Sequence, residues 1–517
     1  MDRDAVASDH SLSAAALSET MRGEVEALRA TFRTGRTRAL TWRKEQLHAI
    51  LRMLEENHLE LTAAIRADHQ NSPKIRGFLD LKRAAEETRM ALKNLDDWAA
   101  DQPAAASAPM FGEAFVRPEA KGVVLLISPW NYPIAMVLDP LIPILAAGNC
   151  CMIKPSEVSS HSAALICELI DRYLDRSAVR CVLGGIPETT ALLEQKFDHI
   201  MYTGNGAVGR IVMQAAAKHL TPCTLELGGK SPTYVDASCA NITGAATKIM
   251  WWKFVLNVGQ TCIAPDYVLV HRDVEHEFVR ECQRVLKMWF GATASEQRAN
   301  KTFARVINAR HVGRIRRLLD NTHGNVIAGG EVDEASHYIA PTLVKVPDID
   351  EPLMCEEIFG PVLPVLVVDG VEDAIRQTNA VCSQPLALYM FADDEDTIET
   401  YLRGTQSGGV CINSAMEHQT AKDLPFGGVG ESGMGHYHGR WGFDEFSHHR
   451  SVFRRSSWST NGGLAVDPRK MHSDRVYDMI MKLSILGFLT PAQKALAKAV
   501  GAGALAAIGT RFFRGRL

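Results

Sequence analysis

The sequence predicts an α/β protein whose parallel sheet carries a ligand site at the carboxyl ends of its strands. Short apolar runs, GVVLLIS, CCMI and HIMY, alternate with segments of helical character, and this alternation is typical of a parallel sheet covered by helices. The polar segments SPWNYP, KPSE and TGNGAVG lie at the ends of these runs, where the ligands of such sheets bind. A second α/β region begins near LELGGKSPTYVD.

Composition and charge exclude several classes of protein. The chain has 517 residues, 46% of them hydrophobic and 22% charged, as in soluble proteins with more than one domain. The net charge of −4 gives no reason to expect a nucleic-acid partner. Among the 11 cysteines there is no CxxC pair, so we expect neither a zinc site nor a disulfide framework. The N-terminus, MDRDAVASDH, has no signal-peptide or transit-peptide character, which favours a cytoplasmic protein.

The first hundred residues predict helices. Apolar residues recur at helical spacing at Leu47, Ile50, Leu51 and Leu54. Thr41 fits the N-cap position before them, and a more charged helical pattern continues to about Trp98. The segment DQPAAASAPM then breaks the pattern and predicts a connection.

The second α/β region predicts further elements of both kinds. The runs YVLV and YMFA have the character of strands, and helical patterns cover 273–290 and the stretch around 301–320. Near residue 430 the chain enters a segment rich in glycine and histidine, GGVGESGMGHYHGRWG. We expect this segment to lack regular structure.

The C-terminal tail has an unusual composition. After Asp478 there are six basic residues and no acidic ones, around the apolar runs LSILGFL and AVGAGALAAIG. Each run is shorter than the roughly 18 residues needed to span a bilayer. Two alternatives stay open: a helix docked on the body of the protein, which we prefer, and an interfacial helix whose cations lie near lipid headgroups.

Three residues are candidates for chemistry. Cys262 in GQTCIAPDYV lies in a predicted loop, where a nucleophile can be presented. Glu226 lies between two leucines in LELGGKSP, and partial desolvation would raise its pKa and suit it to general-base work. Asn131 is held between prolines in SPWNYP, so its amide can donate to an oxyanion. Taken singly, they could instead be an inert buried cysteine, a strand glutamate paired with lysine and a turn asparagine.

The segment MYTGNGAVGR contains the pattern G-x-G-x-x-G, and Glu226 lies 22 positions after its first glycine, Gly204. This is the spacing of a dinucleotide fingerprint, in which the acidic residue binds a ribose.

Lys154 and Glu157 in KPSE also fit ribose contacts, or a lysine with capping residues at the start of a helix. In EEIFGP, Glu357 and Phe359 combine a hydroxyl-accepting carboxylate with an aromatic face.

Four histidines near the C-terminus could suggest a metal site: His436, His438, His448 and His449. No carboxylates or thiolates accompany them at a recognisable spacing. We therefore expect no metal.

Together these segments resemble the aldehyde dehydrogenase superfamily. Over roughly residues 120–450, the family's order and approximate spacings are kept by SPWNYP, KPSE, TGNGAVGR, LELGGKSP, GQTCIAPDYV, EEIFGP and LPFGGVGESGMGHYHG. GQTCIAPDYVL with SGMGHYHG is most similar to the class 3 branch, which includes fatty aldehyde and coniferyl aldehyde dehydrogenases. The resemblance implies the aldehyde dehydrogenase-like fold, with a Rossmann-type cofactor domain, an α/β catalytic domain and a small β oligomerisation element.

The resemblance implies three catalytic roles. Cys262 matches the thiol that attacks the aldehyde carbon to give a thiohemiacetal. Asn131, with the backbone N–H of Cys262, matches the donor to the oxyanion. Glu226 matches the base that activates water to hydrolyse the resulting thioester, so the product is a carboxylic acid.

The resemblance also implies a nicotinamide coenzyme. Lys154 and Glu157 match contacts to the adenine-side ribose, Glu357 matches the contact to the nicotinamide ribose, and Phe359 packs by the nicotinamide. The other coenzyme contacts expected are Trp130, Gly204, Asn205 and Gly209. NAD is preferred because Glu157 would repel a 2′-phosphate, and NADP is the alternative because the class 3 branch often accepts both.

The domain arrangement expected from the resemblance has four parts and a homodimeric assembly. They are an NAD(P)-binding domain at 1–100 and 120–227, a catalytic domain at 228–425, an oligomerisation or bridging element at 101–119 and 426–458, and the tail at 459–517, with a potential for peripheral membrane contact.

Departures from the family pattern affect two places. Where relatives usually carry Ser or Thr in the glycine loop, this chain has Asn205 or Gly206. The separation of 36 residues between Glu226 and Cys262 exceeds the usual one, which predicts a small insertion near WWKFVLNV. The segment NSAMEHQTAKD is expected to line the aldehyde tunnel.

Two other functions were compatible with the sequence. One is a CoA-acylating relative, in which a thiol replaces water, and retention of Glu226 argues against it. The other is a catalytically idle structural protein on the same fold, which the joint presence of Cys262, Glu226 and Asn131 disfavours. The aldehyde itself, aromatic such as coniferyl aldehyde or medium- to long-chain aliphatic, is left open.

Overall fold

The structure, a computed structural model, describes residues 13–70, 74–104 and 112–455. The tail and the last six residues of DQPAAASAPM lie outside the described residues. In chain order the described helices are α1 (Ala14–Arg33), α2 (Leu40–Glu56), α3 (His58–Asp68), α4 (Lys74–Trp98), α5 (Ala135–Ala146), α6 (Ser160–Tyr173), α7 (Ile186–Leu193), α8 (Gly206–Ala217), α9 (Ile242–Met250), α10 (Glu275–Phe290), α11 (Ala294–Ala299), α12 (Ala309–Asp320), α13 (Pro352–Cys355), α14 (Val371–Val381), α15 (Glu395–Gly404) and α16 (Gly439–Glu445).

Two of the predicted helix starts were wrong. Thr41 lies inside α2, and the cap position is Ala39, which makes no side-chain hydrogen bond there. Helix α12 begins only at Ala309, because the Asn308 side chain caps it by accepting a hydrogen bond of 3.0 Å from the backbone N–H of His311. The predicted helices ending at Trp98 and covering 273–290 are confirmed by α4 and α10.

The strands form two large sheets and two small ones. In chain order they are β1 (Gln102–Pro103), β2 (Gly112–Ala120), β3 (Val123–Ile127), β4 (Cys150–Lys154), β5 (Val179–Cys181), β6 (His199–Thr203), β7 (Cys223–Glu226), β8 (Pro232–Val235), β9 (Tyr267–His271), β10 (Asn325–Ala328), β11 (Val332–Asp333), β12 (Tyr338–Ile339), β13 (Thr342–Lys345), β14 (Val362–Val368), β15 (Ala387–Phe391), β16 (Gly409–Ile412), β17 (Gly433–Met434) and β18 (Ser447–Arg455).

The first large sheet has the order β17-β7-β6-β3-β4-β5. Strands β3 to β7 are parallel, whereas β17 pairs antiparallel to β7. The second has the order β10-β13-β14-β9-β8-β15-β16 and is parallel except for β10. The glycine- and histidine-rich segment, expected to be irregular, supplies both β17 and α16. That expectation was wrong because the pairing partner of β17 is remote in sequence.

Both large sheets are buried among helices. All five residues of β3 are buried. In β9, Val268 and Val270 pack into one apolar cluster while Tyr267 and Leu269 pack into another. Because successive strand residues point to opposite faces, the second sheet has apolar packing on both sides, as expected of a parallel α/β sheet.

The chain divides into two compact units. The larger comprises Met1–Asp101 and Arg117–Arg450, and the smaller comprises Gln102–Val116 and Ser451–Leu517. In the smaller unit Arg454 forms an ion pair with Glu113. A separate three-stranded sheet has the order β1-β2-β18. All residues of the candidate site described below belong to the larger unit.

Candidate active site

The carboxyl ends of four parallel strands bring the predicted motifs to one edge of the first sheet. SPWNYP follows β3, Lys154 ends β4, Gly204 follows β6 and Glu226 ends β7. Lys154 is paired in register with Ile127 at the end of β3, and Thr203 with Glu226. The ligand edge expected from the sequence is therefore formed.

The loop that carries Cys262 is held from several sides. Gly259 has φ of 77°, and a Cβ there would lie 2.3 Å from the carbonyl oxygen of Gly360, so only glycine fits. The buried Gln260 side chain accepts from the backbone N–H of Ile307 at 2.9 Å and donates to the carbonyl oxygen of Arg305 at 3.2 Å. The position of Cys262 is consequently well defined.

Asn131 is connected directly to this loop. Its Nδ2 donates to the carbonyl oxygen of Gln260 at 3.1 Å. Asn257 supports the same arrangement, because its Nδ2 donates to the carbonyl oxygens of Asn131 at 3.0 Å and of Gln260 at 2.9 Å. Since a side-chain amide has two N–H donors, the bond to Gln260 leaves one donor of Asn131 for another oxygen beside Cys262.

Glu226 is buried with a relative exposure of 2%. Neither of its carboxylate oxygens has a hydrogen-bond partner among the described residues, so the alternative of a glutamate paired with lysine is wrong. Burial, reinforced by the charge of Glu445, raises the pKa of Glu226 well above its usual range, and Arg83 acts in the opposite direction. A carboxyl group of this kind is suited to accept a proton near neutral pH.

The environment of Cys262 disfavours the thiolate in the coenzyme-free protein. Burial, followed by the charges of Glu357 and Glu226, raises the pKa of Cys262 to about 12, whereas Arg83 lowers it. The structure thus brings the thiol, both acidic side chains and Arg83 within electrostatic range of one another.

The EEIFGP segment forms a tight turn beside SPWNYP. Phe359 has φ of 47°, a conformation rare for residues other than glycine, and its ring meets that of Trp130 edge to face at 5.4 Å. Burial and the charge of Asp266 raise the pKa of Glu357 to about 8. A Cβ at Gly228 would lie 2.2 Å from Oε2 of Glu357, so the carboxylate packs directly against LELGGKSP.

Lys154 and Glu157 form a separate pair on the same sheet edge. Nζ of Lys154 donates to Oε2 of Glu157 at 2.9 Å and to the carbonyl oxygen of Gly184 at 3.0 Å. Although burial acts in the opposite direction, the hydrogen bond from Lys154 holds the pKa of Glu157 below its usual range. Ser156 occupies the cap position before the short 3-10 turn Glu157–Ser159, so the ribose and capping interpretations are compatible.

The glycine loop leads from β6 into α8. A Cβ at Gly204 would lie 2.2 Å from the Tyr202 hydroxyl, and one at Gly209 would lie 2.9 Å from Leu227. Asn205 caps the helix, its Oδ1 accepting from the backbone N–H of Val208 at 3.0 Å. Gly206 is simply the first helical residue. The helix N-terminus therefore faces the sheet edge, as a phosphate site requires.

The helix geometry is irregular where the sequence predicts an insertion. Helix α9 continues into a π-helical turn, Trp251–Val255, shortly before the Cys262 loop. A π turn contains more residues than an α turn and often marks a functional site. The turn lies where the sequence predicts an insertion, and the insertion itself stays a prediction.

Arg83 is the residue that the sequence interpretation missed. It lies on α4 among Arg76, Asp80 and Glu87, which are buried, although charged helical residues usually face solvent. Their spacing of three and four residues places them on one face of the helix. This charged stripe was the available signal.

In the described part of the chain, no group of three or more His, Cys, Asp or Glu side chains could hold a metal ion. Within the same residues, no helix combines the length and apolar composition needed to cross a membrane.

Comparison with known proteins defines the class. The family model described as "Aldehyde dehydrogenase family" matches residues 11–452, so this chain belongs to the aldehyde dehydrogenase family, a family of enzymes that oxidise aldehydes. The predicted family and fold are confirmed.

Particular relatives place the chain near the class 3 branch. It is 46% identical to aldehyde dehydrogenase family 3 member A2 of Rattus norvegicus, over 83% of this chain and 87% of that protein. It is 44% identical to the dimeric NADP-preferring aldehyde dehydrogenase of Rattus norvegicus, over 84% of this chain and 94% of that protein. A structure of the substrate-bound state of Staphylococcus aureus AldH has a TM-score of 0.83 and 34% identity, covering 89% of this chain and 99% of that one.

Proposed function

We propose that this protein oxidises an aldehyde to the carboxylic acid with a nicotinamide coenzyme, through a covalent intermediate on Cys262. The observation that carries the proposal is the convergence of three groups. They are a loop thiol, an amide donor attached to the same loop and a buried carboxylate without a hydrogen-bond partner among the described residues. Aldehyde oxidation by way of a thioester needs one of each.

The proposed reaction proceeds through two intermediates on the thiol. The Cys262 thiolate attacks the aldehyde carbon, and the Asn131 amide with the backbone N–H of Cys262 donates to the oxyanion of the thiohemiacetal. Loss of a hydride converts the thiohemiacetal into a thioester. Glu226 then takes a proton from the water that attacks the thioester carbon. The C–S bond breaks, the acid is released and the sulfur leaves as the thiolate that began the reaction, while the proton on Glu226 passes to solvent.

The residues along the sheet edge fit a dinucleotide. We assign Lys154 and Glu157 to the adenine-side ribose, the loop of Gly204, Asn205 and Gly209 to the phosphates, and Glu357 to the nicotinamide ribose. Phe359 and Trp130, already in ring contact, would pack near the nicotinamide. A bound nicotinamide supplies the hydride acceptor, because no side chain can take a hydride.

NAD is the coenzyme we propose as preferred. The Glu157 carboxylate, whose pKa lies below its usual range, is negatively charged and would repel a 2′-phosphate. NADP is the alternative, and it is supported by the NADP preference named for the dimeric aldehyde dehydrogenase of Rattus norvegicus.

The decisive experiment replaces Cys262 by alanine. We expect no NADH production from any aldehyde in a panel of aromatic and medium- to long-chain aliphatic substrates, while the folded protein still binds the coenzyme. Persisting NADH production would refute the assignment. The same panel, assayed with NAD and NADP, identifies the substrate class.

The acid product separates this function from CoA acylation. The buried Glu226 carboxylate, without a hydrogen-bond partner in the part of the chain that the structure describes, favours hydrolysis, because a CoA-acylating enzyme needs no base for water. We expect the free acid to form without added CoA. A strict requirement for CoA would favour the alternative, and a folded protein inactive with all aldehydes would favour an idle structural role.

For assembly and domain division, the proposal follows the expectations from sequence. We propose a homodimer, supported by the dimeric assembly named for the NADP-preferring aldehyde dehydrogenase of Rattus norvegicus. We also propose NAD(P)-binding, catalytic and oligomerisation parts at the boundaries given above. Light scattering should give twice the mass of the chain.

For the tail we propose a helix docked on the body of the protein, with peripheral membrane contact as the alternative. The alternative is supported by the six basic residues after Asp478 and by the apolar runs, which would be attracted to anionic lipid. Deleting the residues after Gly462 should leave binding to phosphatidylserine vesicles unchanged if the helix is docked. Reduced binding in the deletion variant would favour membrane contact.

A further inference from the structure

Helix α4 contains a charged stripe that faces the interior. Arg76, Asp80 and Glu87 are buried, as is Asp139 on the adjacent helix α5. The Arg83 side chain, the fourth member of the stripe, has a relative exposure of only 19%. Replacing a buried ion pair by well-packed apolar residues is often neutral or stabilising, so the arrangement calls for a reason other than stability.

Arg83 is held on three sides. It forms an ion pair with Asp139, donates through Nη1 to Oε1 of Gln419 at 2.6 Å, and lies 3.1 Å through Nη2 from Nε2 of His438. Its guanidinium also lies over the ring of Phe426, 5.9 Å from the centroid. The group is fixed in place by partners from α5 and from residues 419–438.

The contact with His438 fixes the protonation of the imidazole ring. Because arginine has only donors, Nε2 of His438 must accept, and the ring proton resides on Nδ1. Burial, with the charges of Lys422 and Arg83, lowers the pKa of His438 well below its usual range, so the ring is neutral. His438 lies directly after Tyr437 and four residues after the end of β17, whose Gly433 is paired in register with Glu226. The segment that holds Arg83 is therefore continuous with the strand that pairs with Glu226.

We propose that Arg83, paired with Asp139, is a positioning residue that holds His438 in one tautomer and supplies positive charge to the Cys262 thiol and the Glu226 carboxylate. This inference rests on the proposed function. It gives the buried stripe a role in the reaction: the cation partly offsets the burial and the negative neighbours that oppose ionisation of the thiol and of the base.

The groups that act on this centre come from several elements. Among the described residues, the charged and titratable side chains that act on Cys262, Glu226 or both include Arg83, Tyr132, Glu357, Tyr389, Tyr437 and Glu445. Arg83 is the cation in this set and lowers the pKa of Cys262 and of Glu226. Its removal should therefore move both ionisations to higher pH.

The test compares full-length Arg83→Gln with the unmodified protein across a pH series. The first readout is the pre-steady-state burst of NADH, and the second is alkylation of Cys262 by iodoacetamide, followed by peptide mass spectrometry. We expect both midpoints to rise by about one pH unit. Arg83→Lys, which keeps the charge, should show a smaller rise.

A matched control lies elsewhere in the same unit. Arg29 pairs with Asp198 at 2.9 Å and has a relative side-chain exposure of 15%, close to that of Arg83. Arg29→Gln should lose stability without shifting either midpoint. This control separates a loss of a buried ion pair from a loss of charge at the reaction centre.

An unshifted midpoint in folded Arg83→Gln would overturn the inference. If the single variant does not fold, the double variant Arg83→Gln, Asp139→Asn avoids leaving the Asp139 carboxylate buried alone. We expect a smaller rise of both pH midpoints in the double variant. Unshifted midpoints in the double variant would also contradict the inference. Cys262→Ser distinguishes the two proposals. If it still makes NADH the proposed function fails, whereas an inactive Cys262→Ser with unshifted Arg83 variants refutes only the role of Arg83.

Discussion

The proposed coenzyme side and the proposed reaction side of one sheet edge differ in how their polar groups are satisfied. Lys154 and Glu157 bind each other, and Asn205 caps a helix. At the end of β7, by contrast, Glu226 has no hydrogen-bond partner among the described residues. The coenzyme side is thus preformed by internal bonds. The reaction side keeps an unsatisfied group, as expected where chemistry rather than stability determines the residue.

The difference between the two sides is tested most strongly by Glu226→Gln, in which we expect the largest loss of steady-state turnover. Because glutamine cannot take the proton from water, hydrolysis of the thioester should slow by about 10²–10³-fold. Hydride transfer precedes that step, so a burst of about one NADH per site should remain. Rapid-mixing absorbance measures both phases. Complete loss of the burst would mean that Glu226 acts before hydride transfer.

Asn131→Ala should have the next largest effect. Loss of one oxyanion donor should lower the rate of the NADH burst by about 10²-fold, with coenzyme affinity nearly unchanged. Asn257→Ala is the matched control, because Asn257 donates to the same carbonyl oxygen of Gln260. An equal loss in both variants would indicate that Asn131 only supports the loop.

A smaller effect is expected on stability. At high pH the folded protein must ionise Glu226 in a buried site, whereas the unfolded chain ionises it in water. Since the folded-state pKa of Glu226 is raised, this group lowers the free energy of unfolding progressively as pH rises from its unfolded pKa to its folded pKa. Above the folded pKa the loss is constant, and below the unfolded pKa the group contributes nothing. Glu226→Gln should therefore raise the free energy of unfolding by about 1–2 kcal/mol at alkaline pH and by little at acidic pH. Denaturant titrations at acidic and at alkaline pH measure the free energy of unfolding of both proteins. A difference between the two proteins that does not change with pH would contradict the expectation.

The fold and the positions of the motifs were predictable because they depend on local signals. Alternating apolar runs and helical patterns identify the parallel sheet, and its topology places the strand ends together. Strand β17 was missed because it has two residues, Gly433 and Met434, and its partner β7 lies some two hundred positions earlier. No local pattern specifies such a pairing.

The burial of Arg83 was hidden for a similar reason. A helix with charges at every third or fourth position ordinarily presents them to solvent. Here α5 contributes Asp139, and the distant Gln419 and His438 cover the same face. Sequence reasoning could find the proposed nucleophile, Cys262, and the proposed base, Glu226, which lie in recognisable segments, but not the buried cation Arg83.

The smallest effect concerns the coenzyme side and should follow removal of one surface charge. Glu157→Gln abolishes the repulsion of a 2′-phosphate, so kcat/KM for NADP relative to NAD should rise by about five- to tenfold. Stability should change little, because the Glu157 side chain is half exposed and the buried Lys154 still donates to the carbonyl oxygen of Gly184.

Glu194 offers the control for this last variant, since it is also half exposed and pairs with a lysine, Lys218, at 2.8 Å. Glu194→Gln should leave the coenzyme ratio unchanged. An unchanged ratio in Glu157→Gln, or an equal change in both variants, would mean that Glu157 does not contact the adenine-side ribose. The coenzyme side of the sheet edge would then need another residue to discriminate between the two coenzymes.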